Sequence, residues 1–545
     1  MLSTPLNSIH HCILFSCIFF GLTSIVVAQQ GKEASTDISK ASQKGLFYDV
    51  RVNDNKDISI SYGARKDKKN SELLFEDYVF DRDLQFKGMN SSKAVVELLK
   101  SDAKPDYVET KLYAYAGGSN SFNVLSQKLT LQREAWQRIW NYDKQRYDYA
   151  KRVSNETVKP KNGEGKYQAY SVHEAGNGAC IIASYEPDKK GLDDQFVVLN
   201  VDMDLNIKET LVTTEGNYSL VYSASLLNGN VFVIMAPNSK MPDTKQYLYT
   251  EFTSNAELVK REMFTAPSSN MLVMDHKEAG GALFLCCAST DAKGAYNDEF
   301  MNYASIPNPG APASNQGMKY NKMLYKKEMD NFHFLKLAEG KVLFASTVPV
   351  KSFKNKLVTP PSQKKSHSYE GKKLNIEQLD VLPDGNILLA GQLMDIELTK
   401  GDMATKYLDI VAFMFDAKGE LRAQYAVEKM NDDTKSEIWQ SRQAFHVSED
   451  GKTAYWEIYE VKGSKGYDSF YDAYVGTKTY RPHFFPRIAK INLSTAAVSD
   501  FEVLGSKQKF LMYNSISAIK TGNTMYYIGH DEDYEKLWIG KYNFL

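Results

Sequence analysis

Cysteine is scarce in this chain of 545 residues: there are five, and Cys12 and Cys17 fall in an apolar run at the amino terminus. The other three, Cys180, Cys286 and Cys287, are too few to staple a chain this long, which excludes a disulfide scaffold. They sit in apolar strand-like runs, Ala179–Ala183 and Ala282–Ala288, where cysteine behaves as a small buried hydrophobe, so they are expected to be unpaired and inert. There is no C-x-x-C and no neighbouring histidine pair to hold zinc. An excess of either charge is also missing. With 66 basic and 67 acidic residues and a net charge of −1, no global field favours nucleic acid or an anionic membrane. Beyond the amino terminus no stretch approaches the ~18 apolar residues of a spanning helix. The chain has no G-x-S-x-G, no P-loop, no G-x-G-x-x-G opening a helix, and neither H-E-x-x-H nor H-x-H. Those absences remove the common nucleophile, nucleotide and metalloprotease signatures.

What is present begins with an address. Cys12–Ala28 is a 17-residue apolar run ending in small residues before Gln29-Gln30, which reads as a signal peptide over residues 1–28. Its first residues carry no Lys or Arg, only His10 and His11, so an uncleaved anchor is the alternative and the one route to a membrane. The protein is therefore expected outside the cytoplasm, in periplasm, outer envelope or secreted form. Gln29–Lys44 is polar and rich in Ser and Lys, and reads as a flexible leader.

From Gly45 onward a strand–turn–strand unit recurs. Its clearest copy is Leu382–Leu421, where Asp384-Gly385 precedes the apolar run Ile387–Ala390 and Asp416–Gly419 follows Ile410–Phe415. Equivalent turns precede apolar runs at Asn55-Lys56, Asn177-Gly178, Asn228-Gly229, Gly280-Gly281, Glu339-Gly340, Asp450-Gly451 and Gly522-Asn523. Taking Gly178, Gly229, Gly280, Gly340, Gly385, Gly451 and Gly522, the intervals are 51, 51, 60, 45, 66 and 71 residues. Several copies add a second strand pair, as in Phe196–Asp204 with Ile207–Val212. The fold expected is all-β, a β-propeller of seven or eight four-stranded blades filling residues 45–545 as one domain. An array of β-sandwiches would need linkers, and no Pro/Ser-rich linker follows Lys44. Four insertions are expected, at about 97–166, 291–326, 348–373 and 463–487. The first, which includes Trp136, Trp140 and Tyr147, reads as a long hairpin or an atypical blade turning near Asp143-Lys144.

The string Leu382–Leu421, with its Pro-Asp-Gly turn, Ile-Leu-Leu-Ala-Gly strand and F-D-x-x-G-x-L hairpin, resembles the delta-60-type repeat of bacterial extracytoplasmic propellers. Leu199–Ile207 echoes its second half. The resemblance covers one blade well and the rest in outline. It implies a fold and a secreted habit, and supplies no catalytic residues.

Candidate sites are sparse. Asn53–Asp57, Asp81/Asp83, Asp202/Asp204 and Asp531/Asp533 lack the glycine and bidentate glutamate of a calcium loop, and turn chemistry accounts for them. His173, His276 and His446 fall at similar places before turns, which the repeat itself explains. The insert Val348–Lys373, with Lys351, Lys354, Lys356, Lys364, Lys365, Lys372 and Lys373, reads as a solvated loop. The least ordinary segment is Gly463–Arg487, crowded with rings. Tyr467, Phe470, Tyr471, Tyr474 and Tyr480 are its candidate binding residues, because exposed rings gain nothing unless something covers them. No metal and no cofactor is expected. The leading reading is a non-catalytic propeller that binds a protein or glycan partner. A carbohydrate-active hydrolase or lyase with carboxylates at the central channel is the alternative, and a structural envelope component is a third.

Overall fold

A turn with one residue in the left-handed region recurs along the chain and cuts it into short strands. In one copy Leu382 N donates to Asn386 O at 2.8 Å and Gly385 N to Leu382 O at 2.9 Å, with Gly385 at φ +86°. Asp384 Oδ1 accepts from Asn386 N at 2.9 Å, so the aspartate closes the turn its glycine opens. The same backbone bonds recur at Asn53–Asp57 and Thr253–Glu257, where the left-handed residue is Lys56 (φ 65°) or Ala256 (φ 58°).

The computed structural model describes residues 31–545 except 66–71, 96–106, 118–127, 142–145, 159–165, 176–177, 187–194, 203–205, 214–216, 239, 242, 292–328, 364–367, 400–401, 431–438, 466–480, 506–508 and 513–517. The expected signal segment lies outside these residues. Strand β1 (Gly31–Asp37) and helix α1 (Lys40–Lys44) come first. Blade 1 is β2 (Leu46–Val52), β3 (Ile58–Arg65), β4 (Glu72–Phe80) and β5 (Phe86–Val95). A three-stranded sheet follows, of β6 (Tyr107–Gly117), β7 (Lys128–Asn141) and β8 (Arg146–Val158). Blade 2 is β9 (Lys166–Ala175), β10 (Gly178–Glu186), β11 (Gln195–Asp202) and β12 (Ile207–Leu211). Blade 3 is β13 (Tyr218–Ser225), β14 (Val231–Pro237), β15 (Gln246–Phe252) and β16 (Leu258–Thr265). Blade 4 is β17 (Leu272–Ala279), β18 (Ala282–Ser289), β19 (Asn331–Ala338) and β20 (Lys341–Pro349). The short β21 (Leu357–Val358) then adds in parallel to blade 5, whose strands are β22 (Leu374–Val381), β23 (Ile387–Thr399), β24 (Asp402–Phe415) and β25 (Leu421–Val427).

The remaining strands form one nine-stranded sheet containing two blades. Blade 6 is β26 (Arg442–Val447), β27 (Thr453–Lys465), β28 (Arg481–Asn492) and β29 (Glu502–Val503). The bridging β30 (Phe510–Met512) pairs with both blades. Blade 7 is β31 (Ala518–Thr521), β32 (Thr524–Asp531), β33 (Lys536–Asn543) and, as its outermost strand, β1. Among the described residues the chain thus makes seven four-stranded blades and one three-stranded sheet, each antiparallel, and the propeller read from the turns is the fold.

One expectation is corrected here. Residues Gly31–Asp37, read as part of a flexible leader, are strand β1, paired residue for residue with β33 from Gly31↔Tyr542 to Asp37↔Lys536. The last strand therefore closes on a segment upstream of Gly45. A polar strand went unrecognised because an outermost strand needs only backbone pairing and a few anchors. Trp538 Nε1 donates to Glu33 Oε2 at 3.0 Å, and Glu502 Oε1 accepts from Gly31 N at 3.2 Å. A groove of about 820 Å³ runs along this seam between Lys32, Glu33, Asp83 and Phe86.

The core lies between blades. The central strands are apolar on both faces: β14 and β18 are buried along their whole lengths. Cys180 and Val198 of blade 2 pack with Val233 of blade 3, and Phe334 of blade 4 meets Phe415 of blade 5 at 4.3 Å between centroids. Tyr425 of blade 5 faces Trp456 of blade 6, Tyr455 faces Tyr542 of blade 7, and Ile528 and Ile539 pack on Ile58 and Ile60 of blade 1. Cys180 and the Cys286-Cys287 pair are free and buried, with blade 3 between them. Burial pushes the Cys180 thiol up to about 12, so it stays protonated.

Candidate functional site

Because strands alternate in direction, each first-to-second and third-to-fourth turn lies at one end of the ring. Each second-to-third connection and each link to the next blade lies at the other. All four expected insertions belong to that second end. There the hairpins β23–β24 and β27–β28 also run past their inner strands: β23 continues to Thr399 beyond its pairing with Leu374, and β27 to Lys465 beyond Arg442.

The first strands of blades 2 to 6 adjoin one another in chain order. In β2, β13, β17 and β22 the pairing shifts by one residue, leaving Tyr48, Val221, Met274 and Glu377 as the extra residue; in β9 it is Tyr170. A bulge re-aims the side chain it carries. Glu377 is the one charged residue of that set.

Glu377 is half-buried and hydrogen-bonded on blade 6 by Gln440 and Gln443. Its Oε2 accepts from Gln440 Nε2 at 3.3 Å. Burial pushes its carboxyl up to about 8, against the opposing pull of Gln443, Arg442 and Gln440. Tyr407 of β24 is raised too, by burial first and by Glu377 second. The scaffold beneath is fixed by buried amides. Gln392 Nε2 donates to Leu408 O at 2.8 Å while its Oε1 accepts from Ser441 N at 2.9 Å. Gln443 Nε2 donates to Gly391 O at 2.7 Å and its Oε1 accepts from Trp456 Nε1 at 3.0 Å. Arg442 is exposed, with no hydrogen bond or ion pair among the described residues.

Two further carboxylates lie on β27, both taken up internally. Glu457 accepts from Tyr527 OH of blade 7 and sits 2.7 Å from His446 Nε2. Glu460 pairs with Arg487 at 2.8 Å, at side-chain exposures of 0% and 6%. Burial raises Glu460 and lowers Arg487. Arg487 Nη2 also donates to Glu428 O at 3.0 Å and lies 4.8 Å from the centre of Phe501. These groups are engaged within the protein, and among the described residues none of them is a free carboxylate opposite Glu377.

The three histidines at similar repeat positions all sit on inner strands and reach across to a neighbouring blade. His173 Nδ1 lies 3.2 Å from Ser225 Oγ, His276 Nδ1 is 2.9 Å from Tyr222 OH, and His446 Nδ1 is 3.2 Å from Lys520 Nζ. Lys277 does the same with Asp380 at 2.9 Å. Of the aspartates weighed as cation ligands, Asp204 lies outside the described residues, while Asp81 Oδ1 accepts from Asp83 N and Gln85 N, Asp202 Oδ1 from Asn206 N, and Asp531 Oδ1 from Glu535 N and Lys536 N. Among the described residues no group of three metal-ligating side chains comes together.

Tyr467, Phe470, Tyr471, Tyr474 and Tyr480 lie outside the described residues. The ends of their insertion are corrected. The strands extend to Lys465 and start again at Arg481, so Gly463–Lys465 and Arg481–Arg487 belong to the blade. Phe484 and Phe485 are buried there, against an expectation of loop. The basic insert is likewise partly built into the fold. Val350–Lys356 forms a 3₁₀ turn whose Phe353 is buried among Phe332, Tyr369 and Phe413, leaving Lys351, Lys354 and Lys356 exposed. Within 97–166, β7 and β8 form the hairpin and β6 adds a third strand. Glu377 was missed. Its one sequence signal is its place eight residues before Gly385, the spacing that separates Tyr48 from Lys56, Tyr170 from Gly178 and Val221 from Gly229.

The chain is a β-propeller protein. No family model matches it, and no curated protein does. Among solved structures it is similar to lignostilbene dioxygenase of Pseudomonas brassicacearum, at 10% identity over 80% of this chain and 91% of that one, with a TM-score of 0.32. An α-L-arabinofuranosidase of Fusarium graminearum matches at 10% identity over 70% and 94%, TM-score 0.24. The N-terminal domain of Nup159 matches at 8% identity over 80% and 96%, TM-score 0.27. The likeness is one of fold and says nothing of what this chain binds.

Proposed function

We propose that this is an extracytoplasmic propeller that binds a protein or glycan partner through the end of the ring that carries its insertions. The observation behind this reading is the one-sidedness of the connections: short turns at one end, the β28–β29 link excepted, and at the other the four insertions and both overlong hairpins. Long segments on a rigid scaffold are where recognition usually resides. The secreted habit rests on the apolar segment Cys12–Ala28 and on the likeness of Leu382–Leu421 to delta-60-type repeats. The experiment compares the mature chain with a variant in which residues 466–480 are replaced by a short Gly/Ser turn, against a glycan array and envelope protein fractions. Loss of a wild-type ligand at unchanged melting temperature supports the reading. Retention of every ligand by the shortened chain counts against it.

A catalytic reading has one observation in its favour: Glu377 is held protonated near neutral pH, as a general acid must be. Glycosidic hydrolysis needs a second carboxyl group across the scissile bond. Glu457 and Glu460 are engaged with Tyr527, His446 and Arg487, so binding is the function that the described residues favour.

A further inference from the structure

We propose that the outer edge of β1, where blade 7 meets blade 1, takes up an extended segment of a partner polypeptide as a fifth strand of blade 7. The inference goes beyond the reading above, because the site lies on the rim of the ring and uses none of the insertions.

β1 ends its sheet, with β33 on one side and no strand on the other among the described residues. In an antiparallel pair the main-chain groups of successive residues point alternately toward the partner and away from it. Ile38 N donates to Glu535 O at 2.9 Å, which fixes the phase: even-numbered residues of β1 bond to β33 and odd-numbered ones turn outward. Gly31 N agrees, since it donates to Glu502 Oε1 and not to β33. Ser35 and Asp37 therefore direct N–H and C=O outward, and neither makes a main-chain bond there with a described residue. Outward donors and acceptors two residues apart are the pattern that an added strand matches.

The edge opens on the groove of about 820 Å³, with Gly31–Ser35 along one side and Phe80 and Asp83–Phe86 of blade 1 along the other. The blade 1 side is apolar and uncovered. Phe86 pairs with Phe80 and Met89 with Tyr78, so both lie on the face that packs against blade 7, yet they are 44% and 42% exposed. Lys32 and Ala34, the β1 side chains turned toward blade 1, leave them bare. Charges beside the groove balance: Lys32 lies 3.7 Å from Asp83, Lys536 lies 3.7 Å from Asp37, and Lys541 Nζ donates to Arg82 O. Nothing there selects a polyanion.

Blade 5 has the same place filled. There β21 pairs in parallel with the outermost β25, Leu357 against Gln424 and Val358 against Tyr425. Just upstream, Phe353 is buried among Phe332, Tyr369 and Phe413. A strand on the free edge with a ring in the gap is thus an arrangement this propeller already makes from its own chain. Blade 7 offers the edge and the gap. With cleavage after Ala28 only Gln29 and Gln30 precede β1, too few residues to turn back along it. The occupant is accordingly a segment of another protein, alternating in polarity and bringing bulky apolar side chains to Phe86 and Met89.

The test is fluorescence anisotropy of the full mature chain with a labelled decapeptide of alternating Ile and Thr, flanked by lysines for solubility. Its control is the same peptide N-methylated at four consecutive residues, which loses donors on both edges. The unmodified peptide is expected to bind at least about tenfold more tightly than the control. Ser35→Pro removes an outward N–H that β33 does not use, so it should melt as wild type does and lose about tenfold or more in affinity. Thr36→Pro, one residue on, removes a bond to β33 and should lower the melting temperature. Phe86→Ser should cost about tenfold in affinity. Bound peptide should slow hydrogen exchange at Ser35 and Asp37 and leave Ala34 and Thr36 unchanged. The chain shortened at 466–480 should bind the peptide as wild type does, so failure here is distinguishable from failure of the reading above. No binding of the unmodified peptide, equal binding of the control, or full affinity in Ser35→Pro would overturn the proposal. Unfolding of Ser35→Pro would overturn it as well, since the phase of the edge would be wrong. Self-association that the peptide competes away would overturn it by making a second copy the occupant.

Discussion

Single side chains here carry opposite electrostatic duties, and each can be tested alone. Glu460 and Arg487 are a desolvated pair, so removing one leaves the other charged and unmatched. Arg487→Met is expected to destabilise the fold by about 3–5 kcal/mol, and Glu460→Leu added to it should restore much of that loss. Urea denaturation of the two variants checks both statements. Glu377 titrates in the other sense. Its folded value of about 8 lies above its ordinary 4.5, so the folded state holds the proton more tightly than the unfolded chain. Its contribution is full below pH 4.5, is lost as pH rises through 8, and is level beyond. Glu377→Gln should flatten that part of a stability-versus-pH curve, and an unchanged slope would show that another group is responsible. Lys56 is exposed at φ 65°, a conformation that burdens any residue with a Cβ. Lys56→Gly is expected to gain about 0.5–1 kcal/mol, the reverse of the usual effect of glycine, which a thermal melt would register.

The hairpin β27–β28 shows how far a strand can be read from residues and where reading stops. Tyr455–Val461 alternates and is apolar enough to declare itself. Arg481–Arg487, which reads Arg-Pro-His-Phe-Phe-Pro-Arg, has two prolines and looks like loop, yet Pro486 sits opposite Tyr459 in the ladder and its carbonyl accepts from Leu504 N. The pairing partner, not the local string, makes that segment a strand. Excising Gly463–Arg487 should therefore collapse the blade, since it removes buried Phe484 and Phe485, each worth roughly 3–5 kcal/mol. Excising only 466–480 should leave the melting temperature in place. Replacing Tyr467, Phe470, Tyr471, Tyr474 and Tyr480 by serine together should abolish ligand binding at an unchanged melting temperature; a large fall would make them part of the core. The turns were the legible elements, because Asp-Gly and Asn-Gly encode their geometry locally. The bulge at Glu377 was not, because a bulge depends on which strand lies alongside.

The blades and their order were legible as a repeat, while the closure of the ring was not, because its last strand comes from the polar start of the chain. Deleting Gly31–Asp37 is expected to bare the edge of β33, lower the melting temperature and promote association between copies, which light scattering would detect. Retention of a monomeric, equally stable protein would show that β1 is dispensable. The same pairing sets an order of events. Gly31 meets Tyr542, so β1 has no partner until β33 has been made. Six blades can assemble as they emerge, each from neighbouring sequence, but the seventh waits on β1 and β33, which lie far apart along the chain. The final step of folding is thus the most non-local one and the slowest kind. A chain in which β1 and β33 have not yet met stays an open arc, and the ring latches only when that pair forms.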